Sequence, residues 1–443
     1  MRTKGPDTFA GGGEYSIIDA VNDEDERNAL LEFGQEFVTT TSEFKVDGYV
    51  FKLTRHEPNK KRTYQDANEN YVHYPEMLMV HGFVSDESYF GGAKDGMLTE
   101  QMCRLGLTVN TLTLPDGMGH LSAEEILEIQ ARGVQAAYNS LSTGKAKGSE
   151  VILTAHSRGA IVATHAAELL SKEHANYDKL TSEEQSQSAK PLRGLVLLAP
   201  AGLHPIGPQK ARNGLNIFGK STSILGSAAL TIPGLVFSSR VDIINHPRPT
   251  VKYLGMAAKK LVTDPRMRLK EAEIAASADI RPIIQELSRE MSILIIGAKN
   301  DAFVNHIELS EFVKGISEIQ ELKFGDLGFE EISYNMPTKD YITADEESIN
   351  EVDLNNGVNL FTIDGLSHML LGKKFKSYAD PRGLPGIMLQ FFQSRMPGPK
   401  DGKENGHSPI SYKKGKKEMI DKDGNIVDEN VEGELGIPKP SRL

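Results

Sequence analysis

At 443 residues the chain has room for one large domain with insertions or for two ordinary ones, since domains commonly run to about 100 to 250 residues. Its 39 % hydrophobic and 25 % charged residues are those of a globular protein rather than a disordered or membrane-spanning one. The net charge of −11 argues against nucleic acid as a partner, because the basic clusters Lys60 to Arg62 and Lys413 to Lys417 are short and read as solvated loops.

The single cysteine, Cys103, can form no internal disulfide and has no cysteine neighbour for a metal site, which fits a reducing compartment. The opening MRTKGPDTFAGGGEYS has positive charge but no apolar run behind it, so the expected location is the cytoplasm, with neither a secretory signal nor a membrane anchor. The most apolar long segment, Leu215 to Phe237, is interrupted by Gly219, Lys220, Gly226, Pro233 and Gly234; no transmembrane segment is expected there, although peripheral contact with lipid is compatible with it.

In chain order, Ala29, Leu30, Phe33 and Phe37 have helix-like spacing and predict a short covering helix over Asp23 to Val38. Phe44 and Val46, then Tyr49, Phe51 and Leu53, alternate about Asp47-Gly48, which predicts an antiparallel hairpin. From Met77 onward, strand-like runs at Met77 to Val80, Thr108 to Leu114, Glu150 to Ala155, Gly194 to Ala199, Ser292 to Gly297 and Asn359 to Ile363 alternate with amphipathic stretches. Those stretches lie at Ala123 to Leu141, Gly159 to Ser171 and Ile307 to Ile316. The alternation predicts an α/β fold with a mostly parallel central sheet and helices on both faces.

Two segments break the rhythm. Residues 203–290 are rich in Gly and Pro at first and then helical, at Val251 to Leu261 and Arg266 to Arg289, and are expected to form an inserted, mainly helical cap. Residues 321–356 are acidic, carry Tyr334, Pro337 and Tyr341 without periodicity, and read as a surface insertion. The expected organisation is an N-terminal extension over 1–40, a core over 41–202 and 291–396 split by the cap, and a charged tail over 397–443. That tail reads as partly disordered, with a local hairpin at Asp423-Gly424.

The chemistry concentrates at predicted strand ends. Val151 to Ala160 reads V-I-L-T-A-H-S-R-G-A, an apolar strand running through Ala155-His156-Ser157-Arg158-Gly159 into an apolar helix. A serine hydroxyl is a weak nucleophile unless held exposed beside a base, and a sharp strand-to-helix turn does that; the small residues Ala155 and Gly159 let neighbouring chain approach. Met77 to Val80 ends in His81-Gly82-Phe83, where Gly82 lets the loop curl so that the backbone N–H groups of Phe83 and Arg158 would form an oxyanion hole. His81, Gly82 and His156 are expected to line the substrate pocket, with the His156 ring pointing away from Ser157. The Arg158 side chain is expected to meet an acidic neighbour rather than an anionic substrate.

Asp301 follows the strand Ser292 to Gly297 and is placed to orient a histidine; Asp364 is the rival, without that strand-to-turn setting. Of the 12 histidines, His368 is the one just beyond the last predicted strand, positioned to take a proton from Ser157.

Through His81-Gly82-Phe83, Pro115 to Ser122, Ala155 to Gly159, Asp301 with Val304, and Gly365 to His368, the chain resembles the α/β-hydrolase superfamily of serine hydrolases with a cap domain over about Met77 to Gly372. The resemblance implies that Asp116 to Ser122 is the loop after the fourth strand and that the insertion after Gly194 to Ala199 covers the site. This chain departs from the family in Ala155 for glycine, Asn300 before the acid, and a long stretch between Asp301 and His368.

The expected reaction is hydrolysis of a carboxylic ester, lipid-like if Ile217, Ile224, Leu225, Leu230, Ile232, Leu235, Val236 and Phe237 form a lid rather than the cap's own core. It would run through a Ser157, His368, Asp301 triad and an acyl-enzyme, with no cofactor and no metal. Amide or peptide cleavage and a non-catalytic binding protein are the alternatives. A dehalogenase or epoxide hydrolase would need an aspartate where Ser157 stands. Oligomeric state is not legible.

Overall fold

The computed structural model describes residues 37–59, 61, 63–65, 71–83, 85, 87–90, 98–104, 106–143, 150–203, 247–298, 309, 332–335, 357–364, 368, 370, 384, 388, 391–392, 419–420 and 426–427. The chain enters on the predicted hairpin, β1 (Phe37–Val46) and β2 (Tyr49–Pro58), turning at Asp47 and Gly48. Both turn residues have positive φ, 51° and 84°, the backbone sense that matches the twist of the flanking strands. Strand β1 begins at Phe37, so the last residues of the predicted covering helix are extended; the rest of that helix lies outside the described residues.

After a small antiparallel pair, β3 (Thr63–Gln65) and β4 (Tyr71–His73), come β5 (Glu76–Val80), α1 (Leu98–Arg104), β6 (Val109–Thr113), α2 (Ala123–Ser142), β7 (Val151–His156) and α3 (Arg158–His174). They are followed by α4 (Ser182–Gln187), β8 (Gly194–Leu198), α5 (Pro247–Thr263), α6 (Pro265–Ser277), α7 (Arg281–Leu287), β9 (Ser292–Ala298), β10 (Ile332–Asn335) and β11 (Gly357–Asp364). A short antiparallel pair, β12 (Met419–Ile420) and β13 (Ile426–Val427), flanks the predicted turn at Asp423-Gly424.

Nine strands form the main sheet in the order β1-β2-β6-β5-β7-β8-β9-β11-β10. From β6 to β10 every neighbour is parallel, and β2 joins β6 antiparallel. All six strands predicted from Met77 onward are present. Every residue of β7, β8 and β9 is buried, as expected for strands covered on both faces. Helix α2 starts on a capping box, Ser122 with Glu125, and lays Ile126, Ile129, Val134, Ala137, Tyr138 and Leu141 into the core.

Two details differ from the sequence pattern. The predicted helix over Arg266 to Arg289 is two helices, α6 and α7. The chain turns at Ala278-Asp279-Ile280, and Pro282, which has no N–H to donate, sits in the first turn of α7. Within the stretch read as a surface insertion, β10 extends the sheet beside β11. Of the predicted helix at Ile307 to Ile316, only Leu309, helical and buried, is among the described residues.

Strand order reverses at β5: the chain crosses from β5 to β6 on one side and next to β7 on the other. In open parallel sheets such a reversal leaves a crevice at the carboxyl ends of the strands. His81-Gly82-Phe83 leave β5 and Ser157 leaves β7 at that end.

Candidate active site

Ser157 closes β7 and opens α3 with φ 53° and ψ −124°, a conformation that an L residue adopts only under constraint. The constraint is visible in the main chain. Ser157 N–H donates to Leu198 O at 3.0 Å, and Ser157 O accepts from Ala160 N–H at 3.0 Å and Ala201 N–H at 3.1 Å. The turn also needs the small residue expected after it: a Cβ on Gly159 would lie 2.4 Å from His81 O and 2.6 Å from Val80 O, both backbone atoms. Ala155 is fully buried on the strand before the turn.

His368 Nε2 lies 2.9 Å from Ser157 Oγ, so two side chains 211 positions apart in sequence meet within hydrogen-bonding distance. With the serine hydroxyl donating, Nε2 is the bare nitrogen, the form a proton acceptor requires. The His156 ring turns away from Ser157 toward the main chain of residue 368: His156 Nε2 donates to His368 O at 2.7 Å. Tyr89 stacks on His156 with ring centroids 4.5 Å apart, and its hydroxyl donates to His368 O at 3.3 Å. Burial, with a smaller contribution from His368, pushes the His156 pKa well below its ordinary value, so this ring is neutral.

The His81 ring belongs to its own loop. Its Nε2 accepts Leu114 N–H at 3.2 Å, which puts the proton on Nδ1, within 3.0 Å of Gly82 O and 3.1 Å of Ser85 Oγ. Gly82 faces Ser157: a Cβ there would come 3.0 Å from Ser157 Cβ and 3.1 Å from His156 Nδ1. Phe83 packs on Ala257 and Leu261 of α5, whose Tyr253 hydroxyl donates to Phe83 O at 3.5 Å and whose Lys260 ammonium donates to Ser85 O at 2.9 Å. The second half of the predicted cap therefore lies directly on the loop after β5.

Arg158 is wholly buried and its guanidinium is shared between Gln130 Oε1, 2.8 Å from Nη1, and Glu271 Oε1, 2.8 Å from Nη2. This is the acidic neighbour that the sequence reading expected. Glu271 also accepts from Arg268 Nη1 at 2.6 Å, and Arg268 reaches on to Asp116, which Lys260 approaches at 3.4 Å. Burial lowers the Arg158 pKa and Glu271 pulls it back up. Asp116 feels burial first, but Arg268 and Lys260 outweigh it and hold its carboxyl below the usual range. Asp264 ties the same elements together, receiving Gly117 N–H at 2.8 Å and Met267 N–H at 3.2 Å at the start of α6.

Of the residues predicted for the site, the fold gathers Ser157, His368, His156, His81, Gly82, Phe83 and Arg158 at one end of the sheet. Asp301 lies outside the described residues, as do the apolar positions from Ile217 to Phe237. Asp364 ends β11, opposite Asn335 of β10. Tyr89, Tyr253, Arg268 and Glu271 escaped the sequence reading, because each meets the site only through contacts more than 60 residues away along the chain. Among the described residues, no three His, Cys, Asp or Glu side chains are grouped as metal ligands, and no helix is long and apolar enough to cross a membrane.

No protein-family model and no curated protein sequence matches the chain. Solved structures do align with it at low identity. An esterase from Thermogutta terrifontis is 13 % identical with a TM-score of 0.43, covering 81 % of this chain and 97 % of its own. The 2-hydroxy-6-oxo-6-phenylhexa-2,4-dienoate hydrolase of Rhodococcus sp. strain RHA1 is 10 % identical with a TM-score of 0.45, covering 81 % and 99 %. A thioesterase domain from the curacin biosynthetic pathway is 9 % identical with a TM-score of 0.41, covering 80 % and 99 %. What assigns the fold is internal to this chain: parallel strands whose order reverses at β5, an antiparallel β2 beside β6, and a positive-φ serine on the turn from β7 into α3. By that topology the chain has the α/β-hydrolase fold.

Proposed function

We propose that this protein is a serine hydrolase that cleaves a carboxylic ester through an acyl-enzyme intermediate. The observation that carries the reading is the 2.9 Å approach of His368 Nε2 to Ser157 Oγ on a turn held at φ 53°. In the proposed reaction His368 takes the Ser157 proton as Oγ attacks the carbonyl, then returns it to the leaving alcohol; water repeats the sequence and frees the acid. Asp301, at the end of β9 in sequence, is the residue we assign to orient His368. The backbone N–H groups of Phe83 and Arg158, after β5 and after Ser157, are assigned to the developing oxyanion. No metal or cofactor takes part in this scheme.

A lipid-like acyl chain is the substrate variant favoured by the apolar composition of residues 215–237. The test is hydrolysis of p-nitrophenyl esters of graded acyl length, with reaction of the protein with an alkyl fluorophosphonate alongside. Ser157→Ala is expected to lower kcat by at least about 10⁴-fold and to abolish labelling, with activity rising toward longer chains. A folded wild-type protein that neither turns over esters nor takes the label is a binding protein instead, and a preference for anilides over esters moves the assignment to amides.

A further inference from the structure

We infer that His156 and Tyr89 are positioning residues: they grip the main-chain carbonyl of His368 and so register the base against the nucleophile. The inference rests on the serine-hydrolase reading and adds to it the device that holds the two reacting side chains together.

The geometry has an unusual economy. Two adjacent residues, His156 and Ser157, both bond to residue 368, one to its carbonyl oxygen at 2.7 Å and the other to its imidazole at 2.9 Å. A carbonyl oxygen can only accept, so His156 Nε2 carries the proton and Nδ1 is bare. Nδ1 is buried and has no hydrogen-bond partner among the described residues. A protonated ring would leave a second N–H unsatisfied there, which agrees with the neutral state that burial imposes. His156 is thus a donor of fixed polarity, unable to compete with His368 for the serine proton.

Tyr89 completes the grip. Its hydroxyl oxygen lies 3.2 Å from His156 Nε2 and 3.3 Å from His368 O, so it can accept a share of the histidine N–H while donating to the same carbonyl. Its ring is held on one side by the stack with His156 and meets Tyr253 of α5 edge-on at 5.6 Å. Anchoring the carbonyl fixes the backbone from which the imidazole projects, leaving the ring few ways to leave Ser157. A misplacement of about 1 Å at a reacting group costs on the order of 10²-fold in rate, which sets the size of the effect expected from losing the anchor.

The test is saturation kinetics of Ser157 labelling by an alkyl fluorophosphonate, which separates the limiting rate from probe affinity and needs no natural substrate. The wild type is compared with His156→Leu, His156→Gln and Tyr89→Phe, each checked for folding by thermal melting. His156→Leu is expected to lower the limiting rate about 10- to 100-fold with affinity changed less than about 3-fold. His156→Gln, which keeps an N–H that can reach the carbonyl, should recover part of the loss. Tyr89→Phe, the mildest change, should lower the rate several-fold. A folded His156→Leu protein that labels at the wild-type rate overturns the inference, as does an equal loss in Leu and Gln variants that both melt like wild type. If His156→Leu does not fold, unchanged labelling of Tyr89→Phe and of a folded His156→Gln overturns it. Failure of the wild type to label at Ser157 refutes the serine-hydrolase reading itself, a result distinct from all of these.

Discussion

Ser157 bears a local backbone cost, since φ 53° with ψ −124° places its Cβ against its own backbone. Residues held in such regions carry about 1 to 3 kcal/mol of strain, which the surrounding hydrogen bonds must offset. Ala and Gly both remove the hydroxyl, but only Gly removes the Cβ. Ser157→Gly is therefore expected to be more stable than Ser157→Ala by about 1 kcal/mol in urea unfolding. Equal stabilities would mean that the turn is not strained. The sequence showed which residue occupies the turn and why small neighbours are needed; it did not show that His81 O and Val80 O press on Gly159.

At the scale of elements, α6 is joined to the turn at Ser157 by the buried residues Arg158, Glu271 and Arg268, with Asp116 at the exposed end of the chain. Glu271 is 2 % exposed and sits between two buried guanidinium groups, so its removal leaves Arg158 buried without a counter-charge and Arg268 with Asp116 alone. Glu271→Ala is expected to cost about 3 to 5 kcal/mol, whereas replacing a whole buried pair by apolar residues is often neutral. Chemical denaturation reads the difference; a loss under about 1 kcal/mol would show that Gln130 alone satisfies Arg158. The same chain, with Lys260 on Ser85 O and Asp264 on Gly117 N–H, fixes α5 and α6 against the loops after β5 and β6. The helices themselves were legible as periodic stretches, and the acidic partner of Arg158 was expected in kind. That the partner is Glu271, 113 positions away, needed the fold.

For the whole molecule the relevant variable is pH. Burial is the first cause lowering the pKa of each of His156, His165 and His174, with nearby charges adding to or offsetting it. A histidine whose folded pKa is depressed stays neutral in the native state while the unfolded chain takes up its proton. The stability it contributes is complete above the ordinary value of 6.5 and is lost as pH falls toward the folded value. For the fully buried His156 the loss approaches about 1.4 kcal/mol per pH unit within that window. The melting temperature is expected to fall from pH 7 to pH 5, and less steeply in His156→Gln. Parallel slopes for the two proteins would assign the acid sensitivity to other groups.

The sequence by itself determined the alternation of strands and helices, the hairpin at Asp47-Gly48 and the placing of Ser157 and His368 just beyond strand ends, because these depend on local periodicity and turn chemistry. It also carried the reason for Gly159, since a strand-to-helix turn around a nucleophile demands a small residue there. Tertiary structure alone decided what depends on the order of strands in space. It added β10 to the sheet edge within a stretch lacking strand periodicity. It brought His156 and Tyr89 onto the carbonyl of His368 and buried Arg158 on Glu271. Each of these contacts joins residues distant along the chain through packing and desolvation, and none has a local sequence signal.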